Sequence, residues 1–251
     1  MTATPVMRWD FATGSFVVDD ERAAAVIASQ GTVTPTAALE RSRAIEIDQL
    51  RRWGVAYQDA VLVTSERDLL PTPAIQYADR FLLGRGVSAS SGDGEQREPG
   101  ARKKTMMVLA GPMGVGKTVA ASYVVANGRP KRLTGPWTSL ECPRMLHVEA
   151  ILTASQLPAG GEADTKTRRE LARAQILVID DLGLERDPKR KMGTYLENLI
   201  NVRYGGDGWL VLTTNLPPDD FKRRYGERIY DRLRQRAEWF EIAHGSLRGE
   251  P

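Results

Sequence analysis

A chain of 251 residues with 41% hydrophobic content is long enough for one full α/β core and a smaller appendage. No apolar run approaches the roughly 18 residues of a membrane helix, and the start MTATPVMRWD has neither the basic opening nor the apolar centre of a signal peptide, so no membrane association and a cytoplasmic setting are expected. A single cysteine, Cys142, excludes an internal disulfide and a cysteine-based zinc module, two histidines leave little for a His-based metal site, and a net charge of +3 is at most a weak pointer to an anionic partner such as nucleic acid.

Residues 1–57 carry two helical patterns, Asp19 to Gln30 and Thr36 to Trp53. In the second, Leu39, Ile47, Leu50 and Trp53 recur near one face while Arg41, Arg43, Arg51 and Arg52 take the others. Such a helix either docks a partner or packs on its own domain. A further helix, Pro73 to Gly84, leads towards residues 86–104 (GVSASSGDGEQREPGARKK), rich in Gly, Ser and charge and expected to form a flexible loop. The expected division is a helical N-terminal region, 1–57, and a second domain, 58–251, with residues 54–84 able to join the latter in space.

From Thr105 onward strands and helices alternate, which implies a parallel sheet covered on both faces. Strand 105–110 runs into GPMGVGKT, and a helix over 117–127 stops at Gly128-Arg-Pro130. The octapeptide fits G-x-x-x-x-G-K-[ST] in the strand–loop–helix setting that a phosphate loop needs. Gly111, Pro112, Met113, Gly114, Val115 and Gly116 would wrap backbone N–H groups around phosphate at a helix N-terminus. Lys117 would meet the β- and γ-phosphates of ATP, and the Thr118 hydroxyl would ligate Mg²⁺.

A second strand is expected over Arg144 to Ala150, followed by a short helix near Ile151 to Gln156 and a polar helix Thr165 to Ala174. Then AQILVIDDLGLE, Ala174 to Glu185, reads as a buried strand ending in two acids, a Walker B pattern. Asp180 is placed to hold Mg²⁺ and Asp181 to orient and activate the attacking water. Helix Lys191 to Tyr204 precedes strand Gly208 to Asn215, and the amide of Asn215 at its tip is a candidate sensor of the γ-phosphate. Between Phe221 and Arg236 seven Lys or Arg face two acids. Such a run is ordinarily a solvated basic helix. Arg228 and Arg232, four apart and so on one helical face, suit an arginine finger reaching a neighbour's γ-phosphate. A last strand is expected over Glu238 to Ala243.

Taken together, GPMGVGKT, ILVIDDLG, ENLINVRY, VLTTN and YGERIYDRLRQ ending in HGSLR resemble the DnaC/IstB group of AAA+ ATPases, which contains helicase loaders and transposition ATPases. The resemblance runs from about Trp53 to Arg248 and implies an α/β AAA+ P-loop core whose five-stranded sheet has the order 5-1-4-3-2. It also implies ATP held at the subunit boundaries of a homo-oligomeric ring or filament, and action on DNA, single-stranded above all, with a replicative helicase or a transposase as partner. On matching positions it gives Lys117 and Thr118 as Walker A, Asp180 and Asp181 as Walker B, Asn215 as sensor 1, Arg232 with Arg228 behind it as finger, and Arg248 as sensor 2. It further suggests a DNA-touching helical insert at Ile151 to Ala174, where Lys166, Arg168 and Arg169 would track phosphates or simply be solvated.

Three departures from the group stand out. The second Walker B acid is Asp where most AAA+ enzymes carry Glu, so slow, switch-like ATPase turnover is expected, with Glu185 as a reserve base. A helical lid is expected to be absent or vestigial, and the 86–104 linker is long. The function expected is ATP-dependent assembly on DNA to load a replicative helicase; the alternative is an IstB-like transposition ATPase that coats DNA and recruits a transposase. Outside this class stand a P-loop kinase, which would lack Asn215 and the arginine pair, and a module that binds ATP without hydrolysing it.

Overall fold

The computed structural model describes residues 7–10, 15–18, 35–65, 72–83, 104–128, 142–155, 171, 173–187, 191–204 and 208–243. The chain divides into two compact units, Met1–Gln49 and Leu50–Pro251.

The first unit holds a feature absent from the sequence expectation, an antiparallel hairpin of β1 (Met7–Asp10) and β2 (Ser15–Val18) with Met7 opposite Val18. Trp, Phe and Val favour strands, but four residues are too few for a period to show. Helix α1 (Pro35–Arg52) matches the second expected helix and crosses the boundary between the units. Its apolar face is not uniformly covered, since Leu50 is buried while Leu39 is exposed. The expected helix over 19–30 lies outside the described residues.

In the second unit five parallel strands form one sheet: β3 (Met106–Ala110), β4 (Arg144–His147), β5 (Ile176–Leu182), β6 (Trp209–Thr214) and β7 (Ala237–Glu241). Their spatial order β4-β5-β6-β3-β7 is the 5-1-4-3-2 arrangement read from the other edge. The central strands MMVLA, ILVIDDL and WLVLTT are buried almost throughout, as parallel strands covered on both faces must be. The second strand is shorter than expected, because Val148 already opens helix α5 (Val148–Ser155).

Helix α2 (Tyr57–Ser65) and helix α3 (Pro73–Leu83) belong to this unit. Phe81 meets Trp209 edge-on at 5.7 Å, Tyr77 stacks on Phe240 at 4.6 Å, and Asp79 accepts a hydrogen bond from the Tyr123 hydroxyl at 2.8 Å. Helices α2 and α3 therefore belong to the nucleotide unit in space.

Helix α4 (Lys117–Asn127) ends at Gly128, but not by the left-handed turn that glycine usually supplies there. Gly128 is extended, and a Cβ on it would lie 2.5 Å from the Val124 carbonyl oxygen and 2.8 Å from the Trp209 ring. Close packing is what requires the glycine. On the far side of the sheet lie α6 (Lys191–Tyr204), α7 (Pro218–Tyr225) and α8 (Glu227–Arg236). The basic run is thus two helices, parted at Gly226, whose φ of 100° is closed to most side chains. Phe221 and Tyr225 of α7 and Ile229 and Leu233 of α8 enter the same core as Leu196 and Ile200.

Candidate functional site

Strand order decides what meets what. With β6 between β3 and β5, the carboxyl ends of these three strands bring together the phosphate loop, the Walker B acids and Asn215, where open α/β sheets hold ligands. Gly114 and Gly116 take left-handed φ values of 82° and 85°. At Gly111 a Cβ would lie 2.6 Å from the Ile242 carbonyl oxygen, so the entry to the loop admits only glycine. The loop is tied to its neighbours by Gly111 N–H donating to Thr214 O (3.1 Å) and Ile242 N–H donating to Ala110 O (2.8 Å).

Lys117 donates from Nζ to the carbonyl oxygens of Gly111 (2.9 Å) and Pro112 (2.6 Å), which holds the ammonium inside the loop. Burial pulls its pKa down, and the charges of Asp181 and Asp180 oppose that shift. The Thr118 hydroxyl donates to Asp180, 3.1 Å from Oδ2 and 3.3 Å from Oδ1. Asp180 is itself buried, and its carboxyl is raised above the usual range, chiefly by desolvation. The Thr213 and Thr118 hydroxyls act against the rise and the neighbouring Asp181 charge adds to it.

At the tip of β5 the ladder slips. Ile179 pairs with Leu212 and Leu182 with Thr214, so three steps on β5 face two on β6, a β-bulge. Asp181 sits in it at φ 60°, the one described non-glycine residue with positive φ. Such a conformation is sparsely populated and persists only where the surroundings impose it. Thr213 imposes it from β6: its hydroxyl donates to Asp180 Oδ1 at 2.5 Å and accepts from Asp181 N–H at 2.9 Å. On the other flank His147, the last residue of β4, places Nε2 3.4 Å from Asp181 Oδ2. Its Nδ1 accepts from Glu149 N–H at 3.4 Å, which leaves the neutral ring's proton on the nitrogen facing the acid.

Glu185 does not stand free as a reserve base. It is 4% exposed, and its Oε1 accepts from Arg224 Nε (3.0 Å), Arg224 Nη2 (2.9 Å) and the Tyr225 hydroxyl (2.7 Å), while Oε2 accepts from Gly183 N–H (2.7 Å). The carboxylate is committed to structure. The Tyr225 hydroxyl is correspondingly pushed well above its usual pKa, by burial first and then by the Glu185 charge.

Arg228 is largely exposed and pairs with Glu197 on α6 at 3.1 Å. Arg232 is the more enclosed of the two, 25% exposed, 3.7 Å from Glu197 and hydrogen-bonded to Asn201. Lys166, Arg168, Arg169, Arg248, most of the 86–104 loop and any lid lie outside the described residues.

Thr213, His147 and the Glu185–Arg224–Tyr225 cluster are site features that reading along the chain passes over. A pair of threonines at the end of an otherwise apolar strand was the available signal for Thr213. His147 gives none until β4 is known to lie beside β5.

These residues suit a magnesium-bound nucleotide triphosphate. A loop of left-handed glycines offers N–H groups, one ammonium lies within it, and a hydroxyl and a carboxylate form the hard-oxygen pair that Mg²⁺ takes alongside phosphates. Asn215 Oδ1 at the tip of β6 is buried with no hydrogen-bond partner among the described residues. A buried acceptor of this kind is costly unless something completes it.

The chain is 32% identical over 73 residues to the uncharacterised protein YdaV of Escherichia coli K12, and that match spans under a third of the relative's length, 29%. Among solved structures it is similar to the DnaC helicase loader (TM-score 0.49, 21% identity, covering 68% of this chain and 92% of that one). It is similar also to DnaI (TM-score 0.47, 20% identity, covering 67% and 82%). The model of the IstB-like ATP-binding proteins matches residues 101–250, well over half of the 251, and takes in the phosphate loop, both Walker B acids and the arginine pair. The chain belongs to the IstB-like ATP-binding protein family.

Proposed function

We propose that the protein hydrolyses ATP as a switch, assembles as a homo-oligomer on DNA and loads a replicative helicase. The observation that carries the ATPase part is the meeting of Lys117, Thr118 and Asp180 at the ends of β3 and β5, with the Thr118 hydroxyl 3.1 Å from Asp180. Lys117 neutralises β- and γ-phosphate charge from inside the loop. Thr118 and Asp180 would hold Mg²⁺, which when bound draws charge off the phosphates and aligns them for in-line attack. Asp181, fixed by Thr213, orients the attacking water and takes its proton, and the Asn215 amide holds that water beside the γ-phosphate. An arginine from the adjoining copy, Arg232 or the more exposed Arg228, stabilises the charge that develops on transfer. Arg248 serves as sensor 2, and Lys166, Arg168 and Arg169 follow single-stranded DNA.

The order and spacing of the five sequence blocks support the DnaC/IstB group, which contains helicase loaders and transposition ATPases alike. A second reading, a transposition ATPase that coats DNA and recruits a transposase, is supported by the IstB-like family match. Retention of the replicative helicase with ATP and its release on turnover favours the first; ATP-dependent coating of duplex DNA with capture of a transposase favours the second. The switch is tested by mixing. Arg232→Ala, or the double change with Arg228→Ala, is expected to keep ATP affinity and lose turnover at least tenfold, and Lys117→Ala copies are expected to restore part of it in trans. Full activity of the double variant alone, measured by phosphate release with DNA present, removes the shared site.

A further inference from the structure

We infer that Glu185 is a positioning residue which registers the arginine-bearing helix α8 against the Walker B loop of the same copy, so that each subunit's own nucleotide site sets the aim of the arginine it lends to its neighbour. The inference rests on the shared-site reading above and adds the path by which one site governs the next.

Three residues separate Asp181 from Glu185. The turn between them is closed by Leu184 N–H donating to Asp181 O (3.2 Å) and by Gly183, whose φ of 103° and N–H bond to Glu185 Oε2 (2.7 Å) hold the loop against its own acid. A Cβ on Gly183 would lie 2.8 Å from the Leu216 side chain, next to the sensor residue Asn215. Glu185 then grips the last two residues of α7. Arg224 reaches both its carboxylate, at 2.9 and 3.0 Å, and its backbone oxygen, at 2.6 Å, while Tyr225 adds a hydroxyl at 2.7 Å. A planar guanidinium held at three points, with a phenol beside it, fixes orientation as well as distance.

Directly after Tyr225 comes Gly226, whose N–H closes α7 on Lys222 O (2.8 Å) and whose own oxygen opens α8 by accepting from Tyr230 N–H (3.3 Å). Arg228 stands in the first turn of α8 and Arg232 one turn on. The origin of α8 is therefore set by the two residues that Glu185 clamps, and a shift of the Walker B loop moves the clamp. Glu185 is buried and fully bonded, which explains why it stands so near the acids without serving as one of them.

A donor–acceptor mixing experiment separates this role from any other. Acceptor copies carry Arg228→Ala and Arg232→Ala with an intact nucleotide site; donor copies carry Asp181→Asn, which keeps the phosphate loop, Lys117 and Asp180 for nucleotide but removes the water-activating carboxylate, with intact arginines. Tyr225→Phe, Arg224→Lys or Glu185→Gln is placed in the donor or in the acceptor, and the turnover restored on mixing is read with DNA present. The expected result is a roughly tenfold to hundredfold loss when the change is in the donor and little loss when it is in the acceptor. Tyr225→Phe removes a single oxygen and keeps its ring beside Phe221 (4.7 Å), so it carries the test if Glu185→Gln fails to fold. Loss only in the acceptor, equal loss in both, or no loss in either overturns the inference. If the unmodified donor and acceptor give no restoration at all, the shared-site reading fails, and this inference with it.

Discussion

The two ends of the central sheet both bury charge, and they use it in opposite ways. At the amino ends of β5 and β6, Arg203 on α6 is 3% exposed and donates to three backbone carbonyls: Leu171 and Ala174 at 2.7 Å and Trp209 at 3.0 Å. Burial brings its pKa down to about 10, with the Tyr195 charge opposing, so it stays cationic at neutral pH. Gly208 leaves room for it, since a Cβ there would lie 2.9 Å from Nη1. At the carboxyl ends, Asp180 is buried beside a second acid, Asp181 is held in a strained conformation, and Asn215 keeps an acceptor without a partner among the described residues. One end spends its charge on fastening helix to strands. The other holds charge in reserve for phosphate and metal, at a cost to the folded chain.

The largest effect is expected at the fastening end. Arg203→Ala leaves three carbonyls without their donor and opens a cavity, and should cost about 3–5 kcal/mol of stability. Arg203→Lys should recover only part, because an ammonium cannot span three separated oxygens as a planar fork does. Urea denaturation measures both, and a loss under 1 kcal/mol for the alanine variant would break the comparison.

Next comes Thr213→Val, nearly isosteric and fully buried. It removes the hydroxyl shared by Asp180 Oδ1 and Asp181 N–H. About 1–2 kcal/mol of stability should go, and ATP turnover should fall more steeply than ATP affinity, because Asp181 loses what holds it in the bulge. Equal changes in kcat and KM would show that Thr213 serves packing alone.

The smallest effect carries the opposite sign. Asp180 has a folded-state pKa above its unfolded value, so between the two the folded chain binds more protons and stability falls as pH rises. Asp180→Asn removes that slope, and at pH 7 without nucleotide the variant should be the more stable of the two while losing Mg²⁺-dependent stabilisation by ATP. A less stable variant with an unchanged pH slope would place Asp180 among the fastening charges instead.

What could be read along the chain was whatever is contiguous in it. The phosphate loop, the apolar strand ending in Asp180 and Asp181, and the strand ending in Asn215 each carry their signal within about ten residues, and the sheet order came with the resemblance they jointly support. Contacts made by strand order stayed hidden. Thr213 meets Asp180 across 33 residues, Glu185 meets Arg224 across 39, and His147 faces Asp181 only because β4 and β5 are neighbours. Charge also misled: seven basic residues between Phe221 and Arg236 look like one solvated helix, although Gly226 divides them and the apolar faces of both halves are buried.

The junction of Gly111 with Ile242 has a mechanical consequence. The backbone leaving β7 is bonded to the residue just ahead of the phosphate loop and presses its oxygen against the loop's first glycine. Tension on the polypeptide at Ile242 would reach the mouth of the nucleotide pocket through the bond to Ala110, in parallel with the ladder that joins β7 to β3.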